Sequence, residues 1–363
     1  MRDVIAGFDI GGTKIALVVV GASGTPVHRS VESTDASSDA IDSTEDAVIY
    51  HGLADQLRRM LDAALDGVSR PRLRAIGIVS AGPIRGGGLR NPPNIVPTKI
   101  ADAHRDLPRL IPLVDPLRDA FSCPVNLLND CNGAALGEVY YGLGLHTADK
   151  STLHLAYVTI STGFGVGAWD GGRLILGKDG NAGELGHTVV RPNGLPCGCG
   201  NRGCAEAYAS GSGIVTNATE RLLALGPAEQ RSSILLRLLR ERSPTGSSDA
   251  EALPRRLSPP IVFDAAAEHD PIAEVVLDDA VFAAGVAFSA VANAYDPAVI
   301  SVGGAIALAH PELLEPIREE MLRHINVAPP EVRLTPLGAR VTERGAVALA
   351  RRLMDDDPSA GRI

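Results

Sequence analysis

The chain has 363 residues, a net charge of −9, 45% hydrophobic and 21% charged content; that length exceeds what one core usually fills, so two domains or lobes are expected. Basic residues scattered along an acidic chain exclude a nucleic-acid footprint and a polybasic membrane patch. No apolar run reaches bilayer length, MRDVIAGFDIGG lacks a signal-peptide core, and five cysteines without a disulfide plan suit a reducing compartment, so a cytoplasmic location is expected.

Residues 3–20, DVIAGFDIGGTKIALVVV, read as two strands around a turn, and 15–20 is the unbroken apolar run of a buried strand. Gly11, Gly12 and Thr13 would offer backbone N–H groups and a hydroxyl to a phosphate, and Asp9 could reach Mg2+ through water. A plain glycine hairpin explains the same residues. A short strand over 27–31 and a polar loop follow. Ser43 with Asp46 resembles a helix start, and the apolar spacing from Val48 to Ala64 predicts one amphipathic helix over 44–65. Residues 73–79 read as a buried strand leading into SAGPIRGGGLRNPPNIVP, where Asn94 is the polar residue to watch, as ligand contact or turn former.

Residues 125–128 form a predicted strand with Asn129 and Asp130 at its carboxyl end and a helix over 133–140. Ligands in α/β sheets bind there, so Asp130 is either a helix cap or a base aimed at a ligand. Residues 153–160 make another strand, followed by STGFGVG. That turn, with Ser161, Thr162, Gly163 and Gly165, repeats the logic of DIGGTK: strand, hydroxyl- and glycine-rich turn, strand. The pair suggests a duplicated fold holding phosphate from both halves.

In 181–206, NAGELGHTVVRPNGLPCGCGNRGCAE, the residues His187, Cys197, Cys199 and Cys204 supply three thiolates and one imidazole, the ligand set of a closed structural zinc site. Glu184, His187 and Glu206 flank it, where carboxylates on a metal-pinned loop could accept hydrogen bonds from a polyhydroxylated ligand. A helix over 206–225 with a glycine break comes next, then an Arg- and Ser-rich stretch, 227–260, expected to be an insertion with a mobile loop. A long helix over 272–295, a strand into Gly303 and Gly304 that could pack against adenosine, and a closing helix over 344–354 complete the chain.

Taken together, DIGGTK at 9–14, NDCNGAALGE at 129–138, STGFGVG at 161–167, AGELGH at 182–187 and CGCGNRGCAE at 197–206 resemble the ROK family of sugar kinases and sugar-responsive repressors, over about 4–355 and most closely its bacterial glucokinase branch. The resemblance implies an α/β, two-lobed ribonuclease-H-like fold of the actin/hexokinase superfamily, with a structural zinc loop and ATP in the interlobe cleft. The expected lobes are 1–125, completed by 344–363, and 126–343. Asp130 matches the family's catalytic base, and Asn129, Glu184, His187 and Glu206 its sugar ligands, with His187 serving zinc and sugar through its two ring nitrogens. Residues 7–14, including Lys14, and 160–167 match the nucleotide-phosphate turns; Gly303 and Gly304 match the adenosine segment.

Cys131 and Gly133 stand where Ala is usual, Ser161 where Gly is frequent and Ala205 where a bulky residue is frequent. The GGGLRNPPN loop and 227–260 also depart from the compact form, which leaves the sugar open. The implied activity is ATP- and Mg2+-dependent phosphorylation of glucose at its 6-hydroxyl; an N-acylhexosamine, allose or cyclitol acceptor is the alternative. A sugar-sensing repressor would need a helix-turn-helix ahead of the DIGGTK strand, where this sequence has eight residues. A homodimer or higher homo-oligomer is the family-level expectation.

Overall fold

The computed structural model describes residues 2–21, 24–35, 41–43, 47–92, 95, 107–242 and 256–355; Asn94 lies outside them. Strands β1 (Arg2–Ile10) and β2 (Lys14–Gly21) are mostly buried, which explains their near-continuous apolar sequence, and β3 (Pro26–Ser33) lies on the outer side of β2. Two short strands, β4 (Ile41–Ser43) and β5 (Val48–Tyr50), precede α1 (Gly52–Asp66). The expected helix over 44–65 therefore starts later. Val48 pairs with Arg109 and Ile49 with Leu110, and β-branched residues with a distant strand partner take the strand whatever their helical spacing.

Then come β6 (Pro71–Ser80), β7 (Ile84–Arg85), β8 (Gly88–Arg90), β9 (Arg109–Pro112), α2 (Val114–Phe121), β10 (Val125–Asn129) and α3 (Asp130–Tyr141). Helix α3 begins earlier than expected because the Asn129 side chain accepts the Cys131 N–H and caps it. Strands β11 (His154–Ile160), β12 (Phe164–Asp170) and β13 (Arg173–Leu174) lead to the cysteine loop. After it come α4 (Glu206–Ala209), α5 (Gly211–Leu223), α6 (Pro227–Ser232), α7 (Ile234–Arg242), α8 (Pro259–Ala267) and α9 (Pro271–Tyr295). The stretch 227–260 thus carries two helices and the start of a third, with 243–255 outside the described residues. The chain closes with β14 (Val299–Gly303), α10 (Ala305–Ala309), α11 (Leu314–Leu322), β15 (Glu331–Leu334) and α12 (Val341–Met354).

The sheets run β10-β6-β1-β2-β3, β13-β12-β11-β14-β15 and β4-β5-β9-β8-β7. Contacts divide the chain into Met1–Tyr157, Gly167–Gly183 and Thr335–Ile363 as one unit, and Val158–Val166 with Glu184–Leu334 as the other. The expected boundary lay near 125. The observed one falls later because α3 packs against α12: a Cβ on Gly137 would lie 2.5 Å from the Val341 carbonyl oxygen. Asp130 therefore belongs to the first unit.

In that unit β1, β6 and β10 are parallel and end together at Ile10, Ser80 and Asn129. Helix α12 lies directly on them. A Cβ on Gly77 would sit 2.2 Å from the Ala346 carbonyl oxygen, and one on Gly345 1.9 Å from that of Gly133. Only hydrogen fits at either contact, so the helix is held against strand and helix at backbone distance.

In the second unit α9 is the central helix, with Asp270 capping its start through Ile272 and Ala273 N–H groups. By length and composition α9 could cross a membrane, but most of its apolar stretch is buried inside the protein, as in a core helix. Buried Asp279 on α9 accepts from Arg191 of the cysteine loop at 2.6 Å, and from Arg221 at 2.7 Å and Asn217 at 3.0 Å on α5. Arg191 also lies over the Tyr208 and Phe282 rings. Asp279→Ala should cost about 1.5–3 kcal/mol, the lower range being apt because both guanidiniums keep 40% exposure. Urea denaturation checks this, and an unchanged midpoint would contradict it.

Candidate active site

The shared strand ends gather three of the expected residues, Asp9, Asn129 and Asp130, in the first unit. Asp9 sits opposite Val79, and Asn129 opposite Ser80, at the carboxyl edge of the parallel strands, where α/β sheets bind ligands. The N-cap of α3 is Asn129, and Asp130 is the first helical residue, so Asp130 is not the cap. The Cys131 N–H is shared between Asn129 Oδ1 at 2.9 Å and Asp130 Oδ1 at 2.8 Å. Burial raises the Asp130 pKa, and the bonds from Cys131 pull it back.

Asp9 is pushed up to about 6, first by burial; a hydrogen bond from Thr342 opposes the rise, Asp130 and Glu343 add to it, and Lys14 lowers it. The Asp130 carboxylate adds to the rise of Asp9, a repulsion a divalent cation would relieve, and the donor set is oxygen, as Mg2+ prefers. The turn beside them is a tied hairpin. Gly11 N–H donates to the Lys14 carbonyl at 2.9 Å, and Thr34 binds Thr13 and Gly11 carbonyls. Gly12, Thr13 and Lys14 face solvent.

Two residues here escaped sequence reasoning. Asn181 exchanges two 2.9 Å hydrogen bonds with the Ile84 backbone, holding Gly82 beside Asn129. Thr342 on α12 donates to Asp9 Oδ2 at 2.5 Å. Neither carries a motif, because each acts across a long stretch of chain.

The raised Asp9 has a consequence for stability. Its folded pKa of about 6 lies above 3.8, so ionisation opposes folding: the penalty is absent below the lower value and complete above the upper one. Asp9→Asn should raise the melting temperature of metal-free protein at about pH 7.5, with the gain shrinking towards pH 4. A lower melting temperature at about pH 7.5 would contradict the burial of this charge.

The second unit holds the other expected residues. Ser161 N–H donates to the Gly163 carbonyl, closing the second turn, and Gly165 follows in β12. The start of α5 grips the turn: Gly211 N–H binds the Ser161 carbonyl at 2.7 Å, and Ser212 Oγ donates to the Thr162 carbonyl at 2.8 Å. Glu206 reaches it too, with Oε2 accepting the Phe164 N–H at 3.0 Å. Its Oε1 lies 3.7 Å from Cys197 Sγ and 3.8 Å from His187 Nδ1, while His187 Nε2 is 3.7 Å from Glu184 Oε2. Glu184, His187 and Glu206 thus form one polar cluster. Gly304, at φ 92°, is so close to β11 that a Cβ would lie 2.4 Å from the Ile160 carbonyl oxygen; Gly303 is buried beside it.

Beneath that cluster His187, Cys197, Cys199 and Cys204 bring their ligand atoms within 4.8 Å of one another. Cys199 Sγ and Cys204 Sγ are 3.8 Å apart, and Cys197 Sγ is 3.5 Å from His187 Nδ1. A tetrahedral zinc, with bonds of about 2.3 Å to sulfur and about 2.0 Å to nitrogen, requires roughly 3.8 Å and 3.5 Å for these pairs. The donor set and the spacing fit zinc. Gly203 enables the fold of the loop: at φ 79° it donates to the Leu195 carbonyl, and a Cβ there would lie 1.7 Å from the Arg191 carbonyl oxygen.

The family model described as ROK family matches residues 5–353. The chain is 31% identical over 323 residues to a glucokinase from Thermotoga maritima, covering 88% of each protein. It is 38% identical over 208 residues to an N-acetylmannosamine kinase from Yersinia pestis, covering 57% of this chain and 61% of that one. Its fold is similar to the crystal structure of a ROK family glucokinase from Streptomyces griseus in complex with glucose and AMPPNP, at TM-score 0.68 and 30% identity, over 96% of this chain and 99% of the other.

Proposed function

We propose that this chain, which belongs to the ROK family, is a sugar kinase that transfers the γ-phosphoryl group of ATP to a hexose hydroxyl, with the 6-hydroxyl of glucose as acceptor. The observation that carries the reading is Asp130. It is a half-buried carboxylate, its pKa raised by desolvation, at the carboxyl ends of three parallel strands, on a helix already capped by its neighbour. The glucokinase identity over most of the chain supports the acceptor.

In this reading Asn129, Glu184, His187 and Glu206 bind sugar hydroxyls. Glu206 would do so through a remaining lone pair, since Oε2 accepts the Phe164 N–H and Oε1 faces Cys197 and His187. The backbone and hydroxyl donors of Gly11, Gly12, Thr13, Ser161, Thr162, Gly163 and Gly165, with the Lys14 ammonium, take the phosphate oxygens, and Gly303 and Gly304 the adenosine. Bound through Asp9 and water, Mg2+ would neutralise charge on the phosphates. The hydroxyl oxygen forms its bond to the γ-phosphorus, the bond to ADP breaks, and the hydroxyl proton passes to Asp130. Phosphoryl transfer has a loose transition state, so the proton leaves late and a carboxylate suffices as base. Zinc in the cysteine cage is structural, since all four positions are filled by protein.

A second acceptor class, the N-acylated hexosamines, is favoured by the higher identity of the shorter N-acetylmannosamine kinase match. A coupled ADP-release assay with Mg2+ and ATP against glucose, N-acetylmannosamine and other polyols separates the two. Turnover with glucose supports the main reading, and turnover with the acylated sugar alone replaces the acceptor. Sugar binding without turnover of any acceptor would overturn the kinase and favour a sensor.

A further inference from the structure

We propose that Thr342 is the positioning residue for Asp9, fixing the carboxylate that serves the cation accompanying the nucleotide; this rests on the kinase reading above. Asp9 lies on the carboxyl-end register of β1, paired with Val79 on one side and Ala16 on the other, so its backbone is fixed. Its side chain still has two torsions to settle. Thr342 Oγ1 settles them by donating to Oδ2 at 2.5 Å. An ionised carboxylate can only accept, so the hydroxyl proton points at Asp9 and one oxygen is engaged from the helix side. The other oxygen, Oδ1, is then turned to a defined place for a metal-bound water.

The hydroxyl is held as firmly as the sheet. A Cβ on Gly7 of β1 itself would lie 2.8 Å from the Val347 nitrogen of α12, and Gly77 and Gly345 make still closer contacts along the same helix. The helix therefore cannot slide relative to Asp9 without clash. The acid next to Thr342 does not compete for the cation: Glu343 is paired with Arg29, at 2.9 Å. A β-branched residue is not a favoured helix former, so the chemistry of the hydroxyl, rather than helix propensity, accounts for threonine at this place.

The experiment compares native protein with Thr342→Val, which keeps the shape and removes the donor, and Thr342→Ser, which restores it. Mn2+ binding in the presence of AMPPNP is read by electron paramagnetic resonance, with the melting temperature, and with KM and kcat for ATP in the ADP-release assay. Thr342→Val should weaken Mn2+ binding by about 10-fold or more, as loss of an outer-shell hydrogen bond at a metal site does, and raise KM for ATP. Sugar affinity should stay near native, and the melting temperature of metal-free protein at about pH 7.5 should fall, because Asp9 loses the donor that favours its charged form. Thr342→Ser should recover native Mn2+ affinity to within about threefold. Equal Mn2+ affinity in native and Thr342→Val, or a serine variant as weak as the valine one, would overturn the assignment while leaving the kinase intact. Native protein that binds Mn2+ with AMPPNP but phosphorylates no sugar would overturn the kinase reading, and the three affinities would still decide Thr342. Native protein that binds no metal–nucleotide complex would overturn both.

Discussion

Asp130→Asn should bind the acceptor sugar almost as tightly as the native protein and turn it over about 10²–10⁴-fold more slowly. The substitution changes little except the ability to take a proton. Asparagine has the same shape, and its amide oxygen can still accept the Cys131 N–H that Asp130 Oδ1 accepts at 2.8 Å. Asn129 continues to cap α3, so the helix start does not depend on residue 130. What disappears is an acceptor for the hydroxyl proton, needed late in a loose transition state. Isothermal titration with sugar and a single-turnover measurement separate the two effects. A variant with kcat within about tenfold of native would remove Asp130 from the role of base.

On the proposed mechanism the Asp130 and Asp9 carboxylates should set the acid limb of the pH profile. Asp130 is raised by burial and Asp9 to about 6, with Asp130 contributing to the latter shift. Both would act deprotonated, so activity should be full at higher pH and fall as the pH drops through their folded values. The limb belongs to the pair rather than to either group, because the two interact.

What the sequence disclosed here is the chemistry that is local in the chain. The cage spans eighteen residues, from His187 to Cys204, and four side chains suffice to identify it, so its ligand set could be read without knowing the fold. Asp9, the glycine turns and the Asn129–Asp130 pair announce themselves by lying where a strand ends. Less legible were the elements whose reason is a distant partner. Strand β5 has helical apolar spacing and becomes a strand through β9; β7 and β8 are two and three residues long, too short to show alternation. Thr342 and Asn181 are ordinary polar residues until α12 and the segment after β13 bring them to Asp9 and Ile84. Arg191 lies inside the cysteine motif, yet its partner Asp279 sits in an apolar helix where nothing marks it as an ion-pair acid. The sequence thus marks the candidate reacting groups, and the side chains that hold them show only in the fold.

With zinc as the proposed occupant of the cage, chelation or Cys204→Ser should abolish sugar phosphorylation and lower the melting temperature by roughly 6–12 °C, the equivalent of about 3 kcal/mol for a domain of this size. The cage ligands leave little alternative packing. Burial pushes the Cys197 thiol up to about 12 and raises Cys204 as well. Cys199 is lowered instead, first by the Asn201 N–H, so Cys197 and Cys204 are the thiols whose ionisation a cation must favour, and metal uptake must expel their protons. Zinc affinity should accordingly fall as the pH is lowered, with metal release preceding unfolding. The loss would not stay in the loop. Glu206 follows Cys204 by two residues; its Oε1 faces Cys197 and His187, and its Oε2 holds the Phe164 N–H at the second phosphate turn. A collapsed cage would therefore disturb His187 and Glu206, the proposed sugar ligands, and loosen the Ser161–Gly163 turn, the proposed nucleotide ligand. Sugar and AMPPNP affinities should both weaken in Cys204→Ser, whereas Asp130→Asn should leave them intact. Zinc content by atomic absorption, with the two affinities and the melting temperature, checks the chain of effects. A Cys204→Ser protein with native zinc content and native stability would refute the cage, and a zinc-free protein with native affinities would refute its link to the site.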